Sequence, residues 1–418
     1  MKSRIRQVLN GDEGTALFTV VMMSVILFML ITGLLVMQQY YVSQVRVRTQ
    51  RVSATHIADA GLNDYLVYLK NDKNYYKTHP DTGEVDFEGG SYRVTVTPPQ
   101  NGNPLTLHAT GKTDRTVTIA ATVRRPTFAD YVFLAGGDIQ VGSDDTVRGE
   151  VRSNGSVVND GHITGETYAA DTVSGAGVFD QGKFTGYSPV SFDQVGFSKD
   201  DVMAAAQADG SYFGAVTSGL GYAVTFRGTV YDVERITDGI TTGDLVKTYV
   251  GTYTIPADGA IYFESPVWLS GRYGANVTVA CDNDIYLVDS YQRTSDAGEY
   301  CCGLIARTNI VILSWYDTVP EDMVISAALV AQTGKFYADM QVGRFKNSLT
   351  LVGSAAFKDA SGQFKARDSD GNRVGGFNSY NPRYDQLLNT KPPPFYPTTD
   401  DSAMKVATWV EDGGVNPR

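Results

Sequence analysis

Few residues in this 418-residue chain have the types and spacing to do chemistry. Cys281, Cys301 and Cys302 fall in one short stretch, and sulfur there has two readings. A bond from Cys281 to Cys301 or Cys302 would close a loop of about 20 residues and stabilise by roughly 3 kcal/mol. The other reading is three thiols turned into a core. The odd count leaves at least one free thiol or an intermolecular bond. His56, His79, His108 and His162 are scattered without ligand spacing, so no metal is expected. Gly177–Lys183 (GVFDQGK) matches the first seven positions of a phosphate-binding loop. Phe184 then stands where a hydroxyl should hold magnesium, and no long helix follows. Asp368-Ser369-Asp370-Gly371-Asn372 matches the opening of a calcium loop, but the twelfth position is Ser379 rather than a bidentate glutamate. Both read better as turns between strands. Trp268, Trp315, Trp409 and 25 tyrosines could stack on sugar rings, although tyrosines in a repeating β structure more simply stack on each other. No nucleophile elbow or triad is present. The chain reads as a non-enzyme without a cofactor.

The elements that position these residues begin with a stretch that carries no charge, Gly14 to Val45. Within it Ala16–Met37 is 22 residues of near-continuous apolar sequence, about 33 Å as a helix against a hydrocarbon core of about 30 Å. It shows no polar face and no small-residue signal cleavage site, so it reads as a membrane span. Helical spacing continues to Lys70, giving one helix of about 80 Å over residues 15–70. Residues 1–51 carry six Lys/Arg against two Asp/Glu, which leaves a net −15 on the remainder of a chain whose total is −11. That balance excludes general nucleic-acid binding. It also favours an N-terminus inside and an exported body.

Three quoted features then carry a resemblance. The leader MKSRIRQVLNGDEG ends in glycine, TALFTVVMMSVILFMLITGLLV follows, and Ala58-Asp59-Ala60-Gly61-Leu62 comes one long helix later. Together they resemble the N-terminus of type IV pilin-like proteins, most closely the PilX-like branch. The resemblance implies a leader at 1–14 cut by a prepilin peptidase between Gly14 and Thr15. It further implies a stem that packs against other pilin-like subunits. Asp59 stands where the family usually has glutamate. The family's glutamate five residues into the mature chain is replaced by Thr19. A carboxylate in lipid is costly unless paired, so Thr19 suits a plain membrane anchor.

Beyond a polar loop, SYRVTVT, PLTLHATGK and RTVTIAATVRR alternate apolar and polar residues, predicting a small antiparallel module over 71–125. From 126 the texture becomes short β runs broken by Gly, Asn and Asp. Such punctuated self-similarity predicts a right-handed parallel β-helix-like solenoid in two parts, 126–187 and 259–376. An insertion at 188–258 holds a helix capped by Ser198 and several hairpins. A Tyr/Pro-rich tail at 377–418 would lie along the solenoid and cap its open end. The fold class is mainly β behind a long transmembrane helix. The expected role is a minor, tip or assembly component of a type IV pilus-like filament, with adhesion as a further expectation. A membrane-anchored glycan-binding protein or polysaccharide-degrading enzyme is the alternative, and an envelope protein outside any pilus is the third reading.

Overall fold

The computed structural model describes residues 12–72, 74–98, 105–295, 299–359, 362–399, 404–411 and 414–415. Residues 1–11 of the expected leader lie outside the described residues. Helix α1 (Asp12–Asn71) is one uninterrupted 60-residue element, about 90 Å long. In its second half Ala54, Ile57, Ala58, Leu62, Tyr65 and Leu69 recur at three- and four-residue steps and are buried, which puts them on one face. That face lies on an antiparallel sheet of β1 (Val85–Phe87), β2 (Gly90–Thr97), β3 (Leu105–Lys112) and β4 (Thr116–Arg124). Leu105, Leu107 and Ala109 of β3, with Ile119, Ala121 and Val123 of β4, point at the helix, the period-two alternation of a half-buried sheet. The strand Lys405–Glu411 pairs antiparallel with β4. Helix and sheet form a head, and everything between Arg124 and Lys405 is inserted into it.

The insertion is a parallel β-solenoid. Phe133, Val151, Thr167 and Lys183 stand in register on successive rungs. Two further faces repeat the pattern, as Ile139–Val157–Val173 and Thr146–His162–Val178. The rungs are not stacked in chain order. One face runs Tyr212–Phe213, Ala260–Phe263, Val277–Cys281, Cys302–Ala306, Asp322–Ala331 and Phe345–Phe357, each parallel to the next. Ala355 then pairs with Phe133. The chain therefore enters the stack in its middle, builds one arm to Phe184, and returns to build the other arm toward its own first rung.

Helix α2 (Asp193–Asp209) makes the return. It buries Val195, Lys199, Val202 and Ala206 on the flank around Ala260, Tyr262 and Ala280. Its length corrects the expected start at Ser198: Ser191 Oγ accepts from Asp193 N–H at 3.2 Å, and five further residues join the helix. Gly210 closes it at φ +74°, the left-handed conformation glycine tolerates. The hairpins after α2 belong to the stack. Gly221–Gly228 pairs parallel with Val267–Tyr273 and antiparallel with Val230–Asp238. Phe213, Tyr231 and Tyr253 pack ring on ring beneath the hairpins and close that end. At the opposite end Val178 and Phe184 are 57% and 38% exposed. Among the described residues the C-terminal segment does not cover them. Pro393, Pro394 and Tyr396 lie on the flank beside Gly303 and Thr278, and the chain then rejoins the head.

Register decides the cysteines. Cys302 faces Val277, while Cys281 faces Ala306, so they stand four positions apart along neighbouring rungs, about 13 Å. A disulfide needs Cα atoms within about 7 Å. Of the two readings the disulfide is therefore ruled out, and all three thiols are free and buried. Cys281 and Cys302 sit in the solenoid core, and Cys301, one residue over, sits in the flank cluster beneath α2. Burial pushes Cys281 and Cys301 up to about 12 and raises Cys302 as well. At pH 8 the reactive thiolate is scarce, so iodoacetamide should leave the native chain unmodified and alkylate all three thiols after unfolding. Stoichiometric native alkylation, read by mass spectrometry, would contradict this burial.

Candidate functional site

The candidate site is an interface, and it starts with the bare half of α1. From Leu17 to Thr49 every residue is exposed, including Phe18, Met23, Phe28, Leu34 and Met37, each more than 60%. Over residues 17–37 the apolar surface runs all round the helix with no polar stripe, the pattern of a helix immersed in lipid or in other helices, and Gln38, Gln39, Gln44, Arg46 and Arg48 follow it. The hydroxyls within it are turned onto their own backbone. Ser24 Oγ donates to Val21 O and Thr32 Oγ1 to Phe28 O, both at 2.8 Å, so neither brings an unmet donor into hydrocarbon. Gly14 and Thr15 lie in the first turn of α1. Between Glu13 and Asp59 the helix holds no carboxylate.

Residues 58–62, singled out from the sequence, form the seat of the stem. Ala58 and Leu62 are buried, Asp59 and Ala60 half-buried. At Gly61 a Cβ would come within 2.6 Å of the Tyr92 ring. Tyr92 reaches past it to donate its hydroxyl to Asp64 at 2.8 Å. From the sheet side, Gly111 of β3 lets the helix backbone come closer still, since its Cβ would lie 2.1 Å from Ala54 O. Arg51, just above the bare half, pairs with Glu411 at 2.9 Å. The strand Lys405–Glu411 is thereby tied to the foot of the stem.

Head and body meet at a two-stranded neck. The outgoing and returning segments bond to each other, Phe128 N–H to Pro397 O at 3.0 Å and Thr399 N–H to Pro126 O at 2.9 Å. Beneath them Arg124 and Asp130 form an ion pair with both side chains at most 5% exposed. Arg124 Nε also donates to Asn389 O at 2.8 Å, and Lys405 Nζ stands 3.7 Å from Asp130. Helical or strand periodicity gives no sign of this pair. The Thr127-x-x-Asp130 spacing, a capping box around the turn Phe128–Asp130, is the signal that could have found it.

Beside the neck a cleft of about 770 Å³ separates the Lys405 strand from the solenoid, with Glu150, Glu166 and Arg383 on its walls. Glu166 accepts from the Tyr168 hydroxyl. Burial raises the carboxyl of Glu150, and the nearby Lys405 charge pulls it back. The other residues singled out from sequence are not brought to this interface. The Gly177–Lys183 loop is the turn of the last, exposed rung. Asp368 accepts the N–H groups of Asp370 and Asn372 and closes a turn between strands. Trp268 stacks on Tyr286 at 4.5 Å within the body, whereas Trp409 lies in the head. Some aromatic rings stack from rung to rung, as Tyr212 on Tyr262 at 5.8 Å.

No protein family matches the chain, and no characterised protein matches its sequence. Solved structures that resemble it include the following two. The competence-associated pilin ComZ from Thermus thermophilus is 12% identical, with a TM-score of 0.33 over 87% of this chain and 97% of that one. An ice-binding protein from the Antarctic ascomycete Antarctomyces psychrotrophicus is 11% identical, with a TM-score of 0.24 over 62% of this chain and 97% of that one.

Proposed function

We propose that the chain is a membrane-anchored, pilin-like subunit that carries a β-solenoid at the tip of a type IV pilus-like filament, or primes its assembly. The observation that supports this most is the division of α1. One continuous helix seats its C-terminal half on an antiparallel sheet and leaves residues 17–37 exposed and apolar on all sides. In a bilayer, lipid covers that surface. In a filament, the stems of other pilin-like subunits replace the lipid, and the apolar area need never meet water. Thr19 changes the chemistry of this exchange. Without a carboxylate in the stem, no neighbour's amine is required to neutralise one.

The body sets the position. Everything from Arg124 to Lys405 hangs from one flank of the head, far more chain than the head itself. Close packing of identical subunits would bring these bodies into collision, so the subunit belongs at low copy or at an end. There the exposed solenoid flanks offer an adhesive surface outside the cell, with the N-terminus inside. Mass spectrometry of the native N-terminus should find Thr15 first, the product of a prepilin peptidase. An intact Met1, or purified filaments that contain none of the chain, would sink the assignment.

A further inference from the structure

The arm that ends at Phe184 stops with its core open to solvent. On its last rung Val173–Ser174, Val178–Phe179 and Lys183–Phe184 each pair with the rung before them, and among the described residues nothing pairs with their other side. Register carries the inward columns of the earlier rungs onto this one. Ile139 and Val157 lead to Val173. Val147 and Ile163 lead to Phe179. Phe133, Val151 and Thr167 lead to Lys183. All seven preceding residues are buried, so a lysine occupies a core column at the rung where the stack stops.

The side chain stays over that core. Lys183 Nζ lies 4.8 Å from the centroid of the Phe179 ring, so the stem of the lysine covers apolar surface while its ammonium keeps water on one side. Among the described residues Lys183 makes no ion pair, and Asp180, three residues earlier, is turned to His162 at 2.9 Å. The other end of the solenoid is closed in a different way, by the packed rings of Phe213, Tyr231 and Tyr253. An open stack of strands is a template for more strands, and an inward-pointing charge is one device that blunts it.

We infer that Lys183 guards the open end of the solenoid against the same end of a second copy, and so keeps the body single. Each end is a rim of unpaired backbone groups around an apolar centre, and two of them can meet across a two-fold axis. With lysine in both, the contact would strip water from two ammonium groups and set them over apolar rings, at a cost of several kcal/mol per ion. With an apolar residue in its place, the centre would join Val178 and Phe184, already exposed beside it, in one sticky patch. The guard belongs to the body and holds whether or not the stem enters a filament.

The full chain is placed at one copy per lipid nanodisc, and particle masses are counted over a range of concentrations. The parent should remain as single discs. Lys183→Leu should raise the fraction of paired discs about tenfold or more at equal concentration, and should give nothing larger than pairs, because each chain has one open end. Lys183→Arg should stay single. So should Lys358→Leu, which removes a lysine 5.5 Å from the Phe192 ring on the flank. Adding Val178→Lys to Lys183→Leu returns a charge to the same rung and should restore single discs. The assignment is overturned by a parent that already pairs, or by a Lys183→Leu chain that stays single. Pairing that survives the added Val178→Lys, equal pairing of Lys358→Leu or Lys183→Arg, and arrays larger than two would each overturn it as well, since they place the contact elsewhere than at a charge-guarded end.

Discussion

Gly111→Val is expected to unfold the head while the solenoid stays folded. The reason is the identity of the atoms in the way. An added Cβ would stand 2.1 Å from Ala54 O and 2.5 Å from Ala58 N, and both belong to the backbone of α1. A side chain can rotate out of a clash, but a helix backbone can only be lifted as a body. Lifting it loosens Ile57, Leu62, Tyr65 and Leu69 together, the face that covers β2, β3 and β4. Overpacking of this kind costs about 3 kcal/mol or more. Gly137→Ala is the control, because nothing lies within 4 Å of its Cβ position, and its change should stay within about 0.5 kcal/mol. Urea unfolding should separate into two transitions in the Gly111→Val chain. Trp409 reports the head and Trp268 the body. A variant that melts as one unit, at the parent's midpoint, would mean that the stem does not seat on β3.

The contrast between Gly111 and Gly14–Val45 shows what could be read in advance. An uncharged run is a local property, and so is the alternation in LTLHATGK. Both are written along the chain, and the helix and the head strands follow from them. The rungs were legible for the same reason: Gly, Asn and Asp mark corners wherever the chain must turn. What stayed hidden depends on pairings that no local pattern encodes. Ala355 meets Phe133 across more than two hundred residues, so the folding back of one arm onto the first rung leaves no trace in either segment. Cys281 and Cys302 lie close in sequence, yet the register of two rungs sets them about 13 Å apart. The segment KVATWVE does alternate, and its Val406, Thr408 and Val410 could have been read as an edge strand. Proline-rich sequence just before it suggested a tail.

Asp130→Ala should destabilise the neck by about 3–5 kcal/mol, the range for breaking one side of a buried ion pair. Arg124 would keep its bonds to Asn389 O and Arg125 O, but carbonyls cannot neutralise a guanidinium that is 5% exposed. Lys405, 3.7 Å from Asp130, would add a second positive charge with no nearby carboxylate from that residue. The Thr127 N–H, which donates to Asp130 Oδ2 at 3.0 Å, would also lose its acceptor at the point where the chain leaves the head. Removing the charges together tests whether the pair or the volume matters. Arg124→Met combined with Asp130→Leu should recover part of the loss, because neither charge of the pair is left buried without its partner, while the Thr127 N–H stays without its acceptor. The deficit should change little between low and high salt, since a buried pair is poorly screened. Head and body transitions in urea read the coupling directly. A loss below about 1 kcal/mol would assign the pair to the class of solvated surface bridges. The neck would then be a flexible tether. A tether would let the solenoid swing aside, and steric exclusion would no longer support the proposed position at an end of a filament. A rigid neck holds the body across the head's flank, and the proposed terminal position rests on that rigidity.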